Sequence, residues 1–296
     1  MKKIEPKLDD DQSSYFIVTS HGWSGSHWLA IALDSHPDII CAHSALNAHA
    51  RGADSSLQFL QKSVASHGKA VLGRGDRSID DLFDQIRTYG ETGKAFGNVH
   101  TLRLRDLLVI NKKFPTPRQH TVMNLIRHPV SVVASGHGQL ASFMEWDIFT
   151  LIDTSNCVNQ QIDFALDLAD RHQLNLCDPN VRAFLAASYH QMFLARDQEI
   201  APEAPTIIME RVTTEPEYFN EVVRQLSSSR VDCDASYLDH IFDLGPLNPH
   251  KKGPKMSPAE QYASWNYWQQ EAFKYMFTAS RLAEYYPKFG YDFSFL

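Results

Sequence analysis

Residues 19–29, Thr-Ser-His-Gly-Trp-Ser-Gly-Ser-His-Trp-Leu, join a short apolar run to a helical pattern, and their composition suits the capture of an anion. Gly22 and Gly25 relax the backbone so that successive amide N–H groups can turn toward one centre, and the N-terminus of the following helix adds its partial positive charge. The plainer alternative is an ordinary turn in which Ser24 or Ser26 caps that helix. A second anion site is suggested at 127–135. Arg127 closes an apolar run and Ser135 stands two turns into the helix that opens after Pro129, so a donor fork and a hydroxyl can converge on one phosphate. Taken alone, such an arginine is more often a surface ion-pair partner, and it is the combination with Pro129 and Ser135 that favours the phosphate. Lys251 and Lys252, followed by Gly253, form a bare charge pair in a Pro-containing segment, which is ordinarily solvated surface. Trp28 offers a flat apolar face that suits either a nucleobase or the core.

Several chemistries are disfavoured. An ATP or GTP loop needs Gly-Lys-Ser/Thr, whereas Gly25-Ser26-His27 has no lysine, and the run 120–126 ends without an acidic residue for Mg²⁺. That counts against a kinase or NTPase. A formal charge of -7 argues against wrapping DNA or another polyanion, so no nucleic-acid partner is expected. Cys41, Cys157, Cys177 and Cys233 lack both zinc-site spacing and the density of a disulfide scaffold, which fits a reduced, cytoplasmic protein and no metal. Residues 1–14 carry three lysines and three consecutive aspartates without an apolar core, and read as a tail rather than a signal peptide or anchor. No apolar stretch approaches the roughly 18 residues of a membrane span.

The elements that must hold these residues alternate in type. Apolar, β-rich runs at 15–19, 39–42, 95–100, 120–126 and 206–209 predict strands. Helices are expected at 26–34, 56–66, 79–89, from Val130 onward, over 159–197 with a break near Pro179, and at 217–226. A final helix from Ser257-Pro258 is expected to carry Trp265, Tyr267, Trp268 and Phe273, whereas 244–258 and the stretch containing Gly68, Gly73 and Gly75 read as loops. Alternation of this kind predicts an α/β fold, with a central parallel sheet of about four or five strands flanked by helices and ligands at the strands' carboxyl ends. With 43% hydrophobic residues and no linker or repeat, 15–296 reads as one domain.

The loop resembles the 5′-phosphosulfate loop of sulfotransferases that use 3′-phosphoadenosine 5′-phosphosulfate (PAPS). Ser24, Gly25, Ser26, Trp28 and Leu29 match the pattern Lys/Arg-Ser-Gly-Thr/Ser-Thr-Trp-Leu/Val. The segment Arg127-His128-Pro129 through Ser135 resembles the same family's 3′-phosphate motif, and Lys251-Lys252-Gly253 resembles its Arg-Lys-Gly segment in a shortened, Pro-altered form. The resemblance implies a P-loop-like nucleotide-binding architecture, with Gly22, Trp23, Ser24, Gly25, Ser26, His27 and Trp28 at the phosphosulfate and adenine. Arg127, Ser135, Lys251, Lys252 and Gly253 would then lie at the 3′-phosphate. It also implies that His100, at the end of the third strand, is the base that deprotonates the acceptor, a role suited to imidazole because its ordinary pKa lies near neutrality.

Shorter matches at Ser35-His36-Pro37, Met209-Glu210-Arg211 and Gly290-Tyr291-Asp292 extend the likeness along the chain. One departure matters: the family's basic loop residue falls on Trp23, which cannot neutralise a developing anion, so His21, His27 or another cation must do so, or transfer is lost. The expectation is therefore a PAPS-dependent sulfotransferase that acts on a hydroxyl or amine of a small-molecule or glycan acceptor, with no metal. Pocket walls are expected from 43–54 and from 136–156, where Phe143, Trp146 and Phe149 lie. The alternatives are a 3′-phosphoadenylyl nucleotide-binding protein impaired in transfer, and a nucleotide-dependent phosphotransferase.

Overall fold

Side chains alternate across a strand, and the first strand divides its residues accordingly: Phe16 and Val18 enter one apolar cluster, Tyr15 and Ile17 another. The computed structural model describes residues 13–43, 79–88, 90, 93–100, 102–113, 116–143, 159–243 and 256–296. The expected 56–66 helix, the Gly68 to Gly75 stretch, Trp146, Phe149, Lys251, Lys252 and Gly253 lie outside the described residues, as does the side chain of Phe143.

In chain order the elements are β1 (Ser14–Ser20), α1 (Ser26–Asp34), β2 (Ile39–His43), α2 (Ile79–Arg87), β3 (Ala95–Val99), α3 (Leu104–Lys113), β4 (Thr121–Ile126) and α4 (Pro129–Phe143). They continue with α5 (Asn159–His172), α6 (Pro179–Ile200), β5 (Thr206–Ile208), α7 (Met209–Val212), α8 (Pro216–Leu226) and α9 (Ala235–Asp243). The last are α10 (Pro258–Ala263), α11 (Tyr267–Ala279), α12 (Leu282–Tyr285) and a 3₁₀ turn (Pro287–Phe289). The chain passes three times through each of two compact units, one formed by Met1–Ser20, Gly25–Leu125 and Ala204–Pro249, the other by His21–Ser24, Ile126–Glu203 and His250–Leu296.

The first unit is an α/β structure on a five-stranded sheet in the order β2-β3-β1-β4-β5. Pairings β1–β3, β1–β4 and β2–β3 are parallel, with Val18 opposite both Val99 and Met123, and His43 opposite Val99. Ser20, His43 and His100 therefore sit at the carboxyl edge of three adjacent strands, where parallel sheets present their ligand sites. Phe16, Val18, Leu29 and Leu33 join Phe219, Val222 and Val223 of α8 in one core. Ile79, Leu82, Phe83 and Ile86, spaced to share one face of α2, bury against Tyr15 and Ile17 in the other. Each such fully buried side chain contributes roughly 1.5–3 kcal/mol.

The second unit is helical. Asp178 accepts from the Asn180 amide and Pro179 occupies the first turn, which starts α6 cleanly. Buried residues occur all round α6, as expected of a helix with neighbours on several sides, here α4, α11 and α12. The expected single C-terminal aromatic helix is two helices, because Asn266 and Gln269 form a capping box that starts α11 anew, with Trp265 in the break. Met209, expected to end a strand, instead opens α7. Among the described residues no helix is long and apolar enough to cross a membrane.

Candidate functional site

The loop after β1 turns left-handed at two residues, Trp23 (φ 68°) and Gly25 (φ 87°). Gly25 is the N-cap of α1 and receives no side-chain cap, so neither Ser24 nor Ser26 plays the capping part that an ordinary turn would give it. Glycine is required at 25 on two counts. Its φ is unfavourable for other residues, and a Cβ there would lie 2.5 Å from the Met209 side chain. Gly22 carries no such demand, since the nearest atom to its virtual Cβ, on His190, is 3.7 Å away. The other left-handed residue is Trp23, at a cost of order 1–3 kcal/mol for a side chain of that bulk. No acidic residue occupies the first turn of α1, so its positive end is not offset locally. Ser24 Oγ is fully buried and has no hydrogen-bond partner among the described residues.

Within the second unit, Trp23 is fixed on several sides. Its indole Nε1 donates to Gln139 Oε1 at 2.5 Å, and its ring tilts against His190 with centroids 4.4 Å apart. A Cβ at Gly136 would come within 2.6 Å of the same ring, so α4 needs glycine there to admit the indole. Arg127 Nη1 donates to the carbonyl of Trp23 at 3.1 Å, across a separation of 104 residues. The guanidinium of the second motif thus touches the backbone of the first. This contact uses one of the five donors of the fork. Ser135 is half-buried on α4 in the same unit. His21 is buried, hydrogen-bonded through Nε2 to Asp197 Oδ2 at 2.9 Å, and stacked at 15° on Phe193.

Within the first unit, five imidazole and hydroxyl groups follow one another from the strand ends to the start of α1. His100 takes a left-handed backbone (φ 73°), with its amide donating to the Val18 carbonyl at 2.8 Å. Its Nδ1 lies 2.6 Å from Ser20 Oγ. The His43 ring stacks on His100 at 5.4 Å and 21°, and His43 Nε2 lies 3.0 Å from Ser26 Oγ. His27 stands edge-on to His43 at 5.6 Å. Burial, reinforced by the neighbouring His100 and His27, pushes the His43 pKa down to about 2, so His43 is neutral at any working pH. Among the described residues no group of three or more His, Cys, Asp or Glu is placed to hold a metal ion. Trp28 is 8% exposed and lies in the core with its edge toward Phe219, the second of the two environments its sequence allowed.

The sequence singled out His100, Arg127 and the loop, but not Ser20, Gln139, His190 or Asp197, which hold them. Ser20 carried a readable signal as the last residue of the first strand. Asp197 and Gln139 lie within helices, toward their C-terminal ends, with nothing local to mark them.

No protein-family model matches the chain, and no curated protein does. Among solved structures, the chain is similar to the sulfotransferase domain from the Synechococcus PCC 7002 olefin synthase, at 17% identity over 95% of this chain and 95% of that one, with a TM-score of 0.44.

Proposed function

We propose that the protein transfers a sulfuryl group from PAPS to a hydroxyl or amine of a small-molecule or glycan acceptor. The observation that carries this reading is the hydrogen bond from Arg127 to the Trp23 carbonyl, which joins the two segments that resemble phosphate motifs. Gly22, Trp23, Ser24, Gly25, Ser26 and His27 would hold the phosphosulfate through loop amides, hydroxyls and the positive end of α1. The buried hydroxyl of Ser24 supplies a donor that an anion oxygen would satisfy. Arg127 and Ser135 would take the 3′-phosphate, joined by Lys251, Lys252 and Gly253. Trp28, already in the core, would offer the adenine only its remaining edge.

In the transfer, a lone pair of the acceptor oxygen or nitrogen forms a bond to sulfur as the bond from sulfur to the bridging oxygen breaks. The acceptor proton passes to His100, and the electron pair leaves with 3′-phosphoadenosine 5′-phosphate (PAP). Positioning and electrostatic stabilisation supply most of the rate.

The test is calorimetric titration of PAP and AMP into the wild-type and Arg127→Ala proteins. Charge-assisted hydrogen bonds contribute about 1.5–3 kcal/mol, so the substitution is expected to weaken PAP by about 10- to 100-fold while leaving AMP nearly unchanged. Equal losses for both nucleotides would remove Arg127 from the 3′-phosphate.

A second reading has its own observation. Trp23 stands where the resembled family has a cation, and its neutral indole is held by Gln139, His190 and the space at Gly136. A protein that binds the nucleotide without transferring sulfur would fit that arrangement. Such a protein binds PAP tightly yet turns over no acceptor, and Trp23→Lys then confers turnover. If the wild type is active and Trp23→Lys is no faster, this second reading is excluded.

A further inference from the structure

We propose that His128 is a positioning residue through which the segment 291–296 holds the start of α4, and with it Arg127, in place for a 3′-phosphate. The meaning for the nucleotide rests on the proposed function; the tie between the segment and α4 does not.

Helices are ordinarily started by Ser, Thr, Asp or Asn, whose short side chains accept from the second or third amide of the helix. An imidazole starts α4. Pro129 opens the first turn, the His128 carbonyl accepts from the Val132 amide at 3.1 Å, and His128 Nδ1 accepts from the Val130 amide at 3.2 Å. On the other side of the ring, Nε2 lies 3.3 Å from the carbonyl of Asp292, across a separation of 164 residues. Each of these neighbours has only one role open to it, since an amide N–H donates and a carbonyl accepts. Nδ1 therefore carries the lone pair and Nε2 the hydrogen of a neutral ring. A shorter cap would satisfy the helix as well, and what the imidazole adds is the second bond, to Asp292.

The segment that His128 reaches is itself fixed. Asp292 accepts from the Ser294 amide at 2.8 Å and from the Ser294 hydroxyl at 3.0 Å, and Lys274 of α11 donates to the Leu296 carbonyl at 2.7 Å. Phe293 packs against Phe277 of α11 with centroids 4.7 Å apart and against the His128 ring at 4.9 Å, while Tyr291 stands edge-on to that ring at 5.2 Å. His128 is 3% exposed, so water does not compete for its bonds. Thus α11 anchors the segment, the segment grips His128, and His128 sets the peptide from which Arg127 reaches the Trp23 carbonyl. A guanidinium fork recognises a phosphate only when its own geometry is held, which is what such a support supplies.

Hydrogen exchange of residues 291–296 and calorimetric titration of PAP and AMP test the two halves of the proposal separately. His128→Asn keeps an acceptor for the Val130 amide but falls short of Asp292, and Phe293→Leu keeps apolar volume while removing the ring packed on His128. Each variant is expected to speed exchange in 291–296 and to lower the preference for PAP over AMP by about three- to tenfold, as the loss of one hydrogen bond would, with AMP binding unchanged. Combined, the two should lower it no further than the larger single loss, because they break the same tie. A merely structural role would weaken both nucleotides alike or neither, and either result overturns the proposal, as does wild-type exchange in His128→Asn. Should one variant fail to fold, the other carries the same comparison. If exchange rises as stated but the wild-type protein binds PAP and AMP equally, the tie between the segment and α4 stands and the 3′-phosphate reading falls.

Discussion

Replacing His100 with Ala is expected to slow sulfuryl transfer by about 10²–10⁴-fold, the usual contribution of a positioned general base, while PAP binding changes little. The expectation follows from where His100 stands. Its ring is set by Ser20 at 2.6 Å and by the stacked His43, at the carboxyl edge of three parallel strands. The backbone at His100 is left-handed, a conformation that asparagine tolerates better than alanine. His100→Asn is therefore the companion variant, since it removes the base without adding strain. Steady-state rates with PAPS at saturation measure the loss, and titration with PAP serves as the control. A His100→Asn enzyme that keeps wild-type kcat would show that another group takes the proton.

Removing Asp197 should cost stability rather than chemistry. Its carboxylate is 2% exposed and bonded to His21, which is itself 4% exposed, so truncation leaves a buried imidazole without its partner. A hydrogen bond to a charged group contributes about 1.5–3 kcal/mol, and Asp197→Ala should lower the urea midpoint accordingly with little change in slope. His21→Ala and Asp197→Ala should be strongly non-additive, because the second substitution removes a group the first has already orphaned. Additive losses would mean that the pair stabilises through Phe193 and the surrounding packing alone. On the proposed function His21 opens the loop that holds the nucleotide, and loosening it should then also weaken PAP.

Elements dominated by local signals were legible in the sequence. The apolar runs that became β1 and β4, the helix ending at Asp34, and Pro179 at the start of α6 all carry their cause within a few residues. The missed helices differ in kind. Asp234 bonds the Tyr237 amide at 2.8 Å, so the start of α9 was marked by a readable cap. Leu104–Lys113, by contrast, opens behind Arg103 without a Ser, Thr, Asp or Asn cap next to it. The aromatic run after Ser257 concealed a break because Trp265 and Trp268 suggested continuity, whereas the capping pair Asn266–Gln269 decided the outcome. The sequence offered candidate residues but not the partners that hold them, because Ser20–His100, Trp23–Gln139 and His21–Asp197 span 80, 116 and 176 residues. Partnerships at that range are set by tertiary packing and leave no local periodicity.

Calorimetric comparison of PAP with AMP on the wild-type protein tests the central claim most directly, since the two nucleotides differ only in the 3′-phosphate. A single charge-assisted contact of about 1.5–3 kcal/mol predicts that PAP binds at least about tenfold more tightly. Equal affinity for the two would contradict a second phosphate seat at Arg127, and with it the assignment of PAPS as donor.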